Sequence, residues 1–206
     1  MLADRRLDDA LGAARRGDEA GLADLWRALN PLLLRYLRVF VGQGYEDVAS
    51  EVWLIAAREI RGYRGDGAGF RVWLFRTARF RALDEVRRAG RRLEDPAGLQ
   101  LWHDHPAADD TAETAQQLLA TRRALALVTR LPPDQAEAVF LREVVGMSAG
   151  QAADLLGKRP GAVRVAAMRG LRRLAALIEA DQADGTGRGA PAPAPGQAPI
   201  ATELAE

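Results

Sequence analysis

Apolar residues recur with the helical period through most of the chain, so the pattern predicts a succession of helices. Leu7 to Arg16 and Asp18 to Val39 come first, with Asp18 as an N-cap and Leu22, Leu25, Trp26 and Leu29 on one side of the second. Pro31 kinks or breaks that segment, and Leu32, Leu33, Tyr36, Leu37 and Phe40 then resume the spacing until Gly42-Gln43-Gly44 ends it.

Two helices follow, around which the rest of this half is arranged. The first, about Glu46 to Arg61, buries Val48, Val52, Ile55 and Ala56 and gathers Asp47, Glu51, Leu54 and Arg58 on another face. Its early carboxylates suit the positive end of the helix dipole, yet a charged stripe containing a leucine also makes a docking surface. Gly62 stops it, and the glycine-rich stretch from Tyr63 to Gly69 reads as a mobile, shape-adaptable loop. The second helix, about Phe70 to Arg88, has Leu74, Ala78, Ala82 and Val86 as its core edge. Trp73, Arg76, Phe80, Leu83 and Arg87 form a second ridge of aromatic rings and guanidinium groups. Such a ridge attracts phosphate and can receive unstacked bases; the plainer alternative puts Trp73 and Phe80 in the core.

From Leu93 to Thr114 the periodicity lapses among Pro96, Gly98 and Pro106, which predicts a flexible linker. Trp102-His103-Asp104-His105 is an incomplete metal-ligand set in a chain with no other histidine and no cysteine, so no metal or other cofactor is expected. Helical spacing returns from Ala115 to Arg130. Leu131-Pro132-Pro133 breaks it, and a helix capped by Asp134 runs to about Val145. Gly146, the Ser148/Gln151 capping-box pair, a short helix ending at Gly157 and a helix opened by Pro160 and running to about Ile178 make a helix-turn-helix. Val163, Ala167, Leu171 and Leu174 form the inner edge of its last helix. Arg164, Val165, Met168, Arg169, Arg172 and Arg173 face outward, where arginines can meet phosphates or guanine edges and the apolar pair thymine methyls. After Ala180 an Ala/Pro-rich tail reads as disordered.

Composition sharpens this picture. The 206 residues carry a net charge of only +1, but the charge is segregated. Ten arginines oppose three acids between Arg61 and Arg92, Leu93 to Thr121 holds acids and no Lys or Arg, and Leu155 to Ile178 holds Lys and Arg and no acid. Two basic modules around an acidic connector suit a nucleic-acid partner. The absence of cysteine excludes disulfides, thiolate metal sites and a cysteine nucleophile, and fits a reducing cytoplasm. No signal peptide or membrane-spanning run is evident, so a cytoplasmic protein without direct membrane insertion is expected. No paired catalytic carboxylates, phosphate loop or nucleophile arrangement points to an enzyme.

In order and spacing these segments resemble the sigma-seventy family of RNA polymerase initiation factors, in the compact two-domain form called extracytoplasmic-function (ECF) sigma factors. Asp47-Val48-Ala49-Ser50-Glu51-Val52-Trp53 resembles the family's core-binding helix. Tyr63-Arg64-Gly65-Asp66 with Phe70 to Ala78 resembles its promoter-melting segment. Leu131-Pro132-Pro133, Leu141-Arg142, Gly146-Met147-Ser148 and Leu156-Gly157 through Gly161-Ala162-Val163-Arg164 resemble its promoter-reading module. The resemblance implies an all-α fold of two small helical domains, a sigma region 2-like bundle at 1–92 and a region 4-like helix-turn-helix at 115–180. The linker at 93–114 and the tail at 181–206 complete the chain. It implies that Asp47 and Glu51, with Leu54 and Arg58 on the same stripe, dock on the clamp helices of the polymerase's largest subunit. The Arg64 to Gly69 loop, with Arg64, Gly65 and Asp66 as its DNA-binding residues, would trap a flipped base of the minus-ten element, with Arg71, Arg76 and Arg79 near the separated strands. Arg164 and Arg169 would face the minus-thirty-five element, alongside Arg159, Val165, Met168, Arg172 and Arg173. Many such factors are held by an anti-sigma partner. The sequence departs from the usual pattern at Ser50, Phe80, Val165 and Ala166.

Two rivals from other classes make different predictions. An ordinary helix-turn-helix regulator would bind an operator tightly by itself, and a helical adaptor would be indifferent to alanine at Arg164 and Arg169.

Overall fold

The computed structural model describes residues 2–92 and 115–186, so the expected linker, its His103/His105 motif and most of the expected tail lie outside the described residues. Helices α1 (Leu2–Arg15), α2 (Glu19–Val41), α3 (Tyr45–Glu59) and α4 (Gly67–Arg92) make an N-terminal lobe. Helices α5 (Ala115–Thr129), α6 (Pro133–Val139), α7 (Ala149–Leu156) and α8 (Pro160–Thr186) make a C-terminal one, and among the described residues there is no strand.

In the first lobe, Asp18 caps α2 by accepting from the Ala20 amide at 2.9 Å. Gly21 lets α1 and α2 touch backbone to backbone, since a Cβ there would fall 2.5 Å from the Ala14 nitrogen. Leu7, Ala10, Leu11 and Ala14 bury one face of α1 in this contact. Of the kink or break expected at Pro31, the break does not occur: α2 runs through it as one helix. Beside it the buried Asn30 accepts the Trp53 indole N–H at 2.9 Å, which satisfies two polar groups and ties α2 to α3. Trp26, grouped by its spacing with Leu25 and Leu29, is instead 48% exposed. The buried stripe of α3 is Val48, Ala49, Val52, Trp53 and Ala56, with Ile55 only half-buried. Helix α4 starts three residues before the expected Phe70 because Asp66 caps it, its Oδ1 accepting from the Gly69 amide at 2.7 Å.

In the second lobe Pro132, not Asp134, is the N-cap of α6; Asp134 lies in the first turn and pairs with Lys158 at 2.6 Å. The helix expected to reach Val145 widens to a π-turn over Phe140–Val144, with the Val145 amide donating to the Phe140 carbonyl at 3.0 Å. The wider turn points Phe140, Leu141 and Val145 all inward. Ser148 and Gln151 form the expected capping box, at 3.1 and 2.8 Å, and Gly157 closes α7 at φ 65°. Helix α8 continues past Ala180 to Thr186, and its Asp181 pairs with Arg130 at 3.2 Å. It seats on α6 at Gly170, where a Cβ would lie 2.6 Å from Val139 Cγ2. That contact corrects the expected inner edge: Val163 and Ala167 are buried and Leu174 half-buried, but Leu171 turns out to solvent.

The two lobes share a junction. Phe140 of the π-turn packs edge-on against Tyr36 and Phe40 of α2, with ring centroids 5.7 and 6.5 Å away, and Phe75 of α4 meets Tyr36 at 5.5 Å. Beside these rings Glu137 of α6 accepts from the Tyr36 hydroxyl at 2.7 Å and from Arg79 Nε at 2.8 Å.

Candidate functional site

The α3 stripe emerges where its helix period puts it. Asp47, Glu51, Leu54 and Arg58 are all exposed, opposite the buried Val52 and Ala56, and Leu54 at 58% is an apolar side chain without cover. Arg81 of α4 approaches Glu51 to 4.0 Å, so the acidic stripe borders the basic helix. Phe80, 62% exposed, stands out on that helix among the arginines, and Arg76 and Arg87 are exposed on the same ridge. Trp73 lies lower: it is half-buried and stacks on the buried Phe70 at 5.5 Å. The ridge therefore divides, with Trp73 serving the core and Phe80 the surface.

The segment joining α3 to α4 differs from the mobile loop that its glycines predicted. Arg64, Gly65 and Asp66 are exposed at its tip. Behind them Tyr63 folds over Gly65 and Gly69, since a Cβ on either would lie within 2.8 Å of its hydroxyl oxygen. The Tyr63 ring meets Phe70 edge-on at 5.5 Å and lies under the Arg15 guanidinium at 5.5 Å. Burial, then the Asp66 carboxylate, pushes the Tyr63 hydroxyl above its ordinary pKa, while Arg15 acts the other way. Glycine permits this loop to be tight, and the contacts around it remove the freedom that glycine would otherwise give.

The three α4 arginines expected beside separated strands do not share one environment. Arg76 is exposed. Arg71 turns toward α1 and reaches Asp4 at 3.4 Å with its side chain 13% exposed. Arg79 is bound by Glu137, and although burial works against its charge, that carboxylate raises its pKa above the ordinary value. Tyr36, on the same carboxylate, has its hydroxyl pushed well above the ordinary value, by burial first and then by the charge of Glu137.

On α8 the outward residues are Arg164, Val165, Met168, Arg169, Arg172 and Arg173, all exposed, with Arg159 exposed just before the helix. They fall into two groups. Arg164, Met168 and Arg172 line a shallow concavity of about 320 Å³ against Arg142 and Glu143 of the π-turn, together with the outward Leu171. Val165, Arg169 and Arg173 stand outside it, exposed on the neighbouring side of the helix. Spacing alone missed Asp8, Arg15, Tyr36 and Glu137, which act through partners far away in the chain; the one local hint is Glu137 sitting among the buried Ala136, Ala138 and Val139.

Two helical lobes, an acidic stripe against an arginine helix and a capped helix-turn-helix with a basic second helix define a sigma-70 type of architecture. The family description Sigma-70 region 2 matches residues 25–92, and Sigma-70, region 4 matches residues 121–174. Among curated relatives, the ECF RNA polymerase sigma factor SigD of Mycobacterium tuberculosis is 33% identical over 177 residues, 82% of each chain. The ECF RNA polymerase sigma factor ShbA of Streptomyces griseus is 33% identical over 175 residues, 81% of this chain and 92% of the relative. Among solved structures, the sigma factor RpoE in complex with the anti-sigma factor NepR from Bartonella quintana has the same fold, with a TM-score of 0.57 at 21% identity over 77% of this chain and 98% of that one. The chain belongs to the ECF RNA polymerase sigma factors. These are non-enzymatic factors of promoter-directed transcription initiation. No helix among the described residues is long and apolar enough to cross a membrane.

Proposed function

We propose that this chain joins core RNA polymerase through Asp47, Glu51, Leu54 and Arg58, reads the minus-thirty-five element with α8, and traps an unstacked base of the minus-ten element at the Arg64-Gly65-Asp66 tip. The observation that carries this reading is the exposure of apolar side chains on each of the three contacting helices: Leu54 on α3, Phe80 at 62% on α4, and Val165 and Met168 at 41 and 44% on α8. Each is ringed by charge, as a surface that is covered on binding should be. On α4, Arg76 and Phe80 meet the separated strand; Arg71 and Arg79 are tied to protein carboxylates and hold the helix in place. On α8, Val165, Arg169 and Arg173 lead into the major groove, with Arg159, Arg164, Met168 and Arg172 flanking them. Flipping a base costs about a few kcal/mol, which pocket contacts and stacking offset. The work is done in the cytoplasm, with promoter DNA and polymerase as partners, and an anti-sigma factor of the kind named with the solved relative could hold this chain off the polymerase by covering the same faces.

The test is reconstitution. Purified chain is mixed with core polymerase and sheared chromosomal DNA, and transcript starts are mapped. Starts that share upstream elements, and that vanish with Leu54→Asp, support the reading. Failure of the chain to join core polymerase, or tight operator binding by the chain alone, sinks it.

A further inference from the structure

The tip proposed to trap a base is held from behind by a helix outside the matched region. Residues 25–92 match region 2, yet α1 spans Leu2–Arg15 and contacts the tip, the Tyr63 before it and the first turn of α4 after it. The Gly67 amide, first of α4, donates to Asp8 Oδ1 at 2.6 Å. The Arg15 guanidinium donates to the Gly65 carbonyl and lies over the Tyr63 ring. Asp4 holds Arg71, one turn into α4. Gly67 itself has no room for a side chain: a Cβ would lie 2.6 Å from Leu7 Cβ and 2.8 Å from the Asp8 nitrogen.

We infer that α1 is the anchor of the base-trapping tip, with Asp8 and Arg15 as positioning residues for strand separation. The inference rests on the proposed role of the tip. A bond from Asp8 to the first amide of α4 fixes where that helix begins. Arg15 fixes the carbonyl one residue before Asp66, on the other side of the tip. Together they hold both ends of Gly65-Asp66 against a helix that is itself buried along Leu7, Ala10, Leu11 and Ala14. A tip held this way presents Arg64 and Asp66 in one arrangement before DNA arrives, so trapping a base loses less conformational freedom. Neither Asp8 nor Arg15 needs to touch DNA for this.

The experiment uses the whole chain assembled with core polymerase on a promoter fragment mapped as above, with permanganate reactivity of unpaired thymines as the readout of opening. Asp8→Ala and Arg15→Ala should each slow opening about tenfold, the scale of one lost charged hydrogen bond. Affinity for core polymerase and for the duplex minus-thirty-five element should change less than about twofold, since these contacts lie elsewhere. Asp8→Asn, which keeps an acceptor oxygen, should recover most of the rate; a general loss of folding would not be rescued in this selective way. In the free chain, hydrogen exchange at the Gly67 amide should rise about tenfold in Asp8→Ala, again the scale of that hydrogen bond, and stay near wild type in Asp8→Asn. Arg64→Ala separates the two levels. If it slows opening while Asp8→Ala and Arg15→Ala open at the wild-type rate, the anchoring role is wrong and the tip's role stands. If Arg64→Ala also opens at the wild-type rate, the tip is not the trapping element and both readings fall.

Discussion

Replacing Glu137 with alanine should uncouple the two lobes. Its side chain is 14% exposed and accepts hydrogen bonds from Tyr36 of α2 and Arg79 of α4, so one carboxylate of the C-terminal lobe is shared by two helices of the N-terminal lobe. A hydrogen bond to a charged group contributes about 1.5–3 kcal/mol. Arg79 is 29% exposed, so solvent screens part of its share, and the loss should be about 2–4 kcal/mol, short of a fully buried pair. Glu137→Gln keeps an acceptor and should lose about half of that. The aromatic contact of Phe140 with Tyr36 and Phe40 survives in both variants and opposes separation. The tryptophans make the assay direct: Trp26, Trp53 and Trp73 lie in the N-terminal lobe, so in a Trp102→Phe background fluorescence follows that lobe while circular dichroism follows both. In urea the wild-type chain should show coincident transitions by the two probes, and Glu137→Ala should split them, with helix lost first at lower urea. A double-mutant cycle of Glu137→Ala with Arg79→Ala should give a coupling of about 1–2 kcal/mol. Coincident probes with an unmoved midpoint in Glu137→Ala would refute the reasoning, because the carboxylate would then not be what joins the lobes.

Three other outcomes are expected. Gly170→Ala should destabilise the C-terminal lobe by about 1–3 kcal/mol, read by thermal unfolding, because its Cβ would lie 2.6 Å from Val139 Cγ2 and 3.2 Å from the Gln135 carbonyl oxygen. The raised pKa of Tyr36 makes stability depend on alkali: the unfolded chain ionises this hydroxyl near 10.0 and the folded chain only higher, so its contribution is whole below pH 10.0 and declines as pH rises through the folded value. Urea midpoints should fall above that pH in the wild type and fall less in Tyr36→Phe. Arg169→Ala and Arg173→Ala should each weaken holoenzyme binding to the duplex minus-thirty-five element, measured by footprinting, by about 1–3 kcal/mol if they read a base. They should flatten the salt dependence with little loss of specificity if they meet phosphate.

The helices, their order and most of the exposed faces were legible because they follow from local rules: the apolar period of α3, the Ser148 capping box and Pro160 at the start of α8 are each settled by residues within a turn of one another. What escaped was non-local. Leu171 falls on the helical period with Val163 and Ala167, yet Gly170 takes the contact because α6 approaches more closely than any side chain allows, and spacing carries no information about distance. Arg71 and Arg79 were grouped with Arg76 because all three lie on one basic helix, but Asp4 and Glu137 meet two of them from 67 residues before and 58 after. The glycines from Gly62 to Gly69 state what the backbone is permitted to do; Asp8, Arg15, Tyr63 and the capping Asp66 decide what it does. A loop made pliable by composition is thereby held by contacts, so charge counted along a segment overstates the charge it can offer DNA. On α4, Arg71, Arg79 and Arg81 are held by carboxylates of α1, α6 and α3, and Arg87 and Arg88 pair with Asp84 and Glu85 inside the helix. Much of the cationic excess read from the sequence is thus already matched by protein carboxylates, while Arg76, proposed to meet a separated strand, stays exposed.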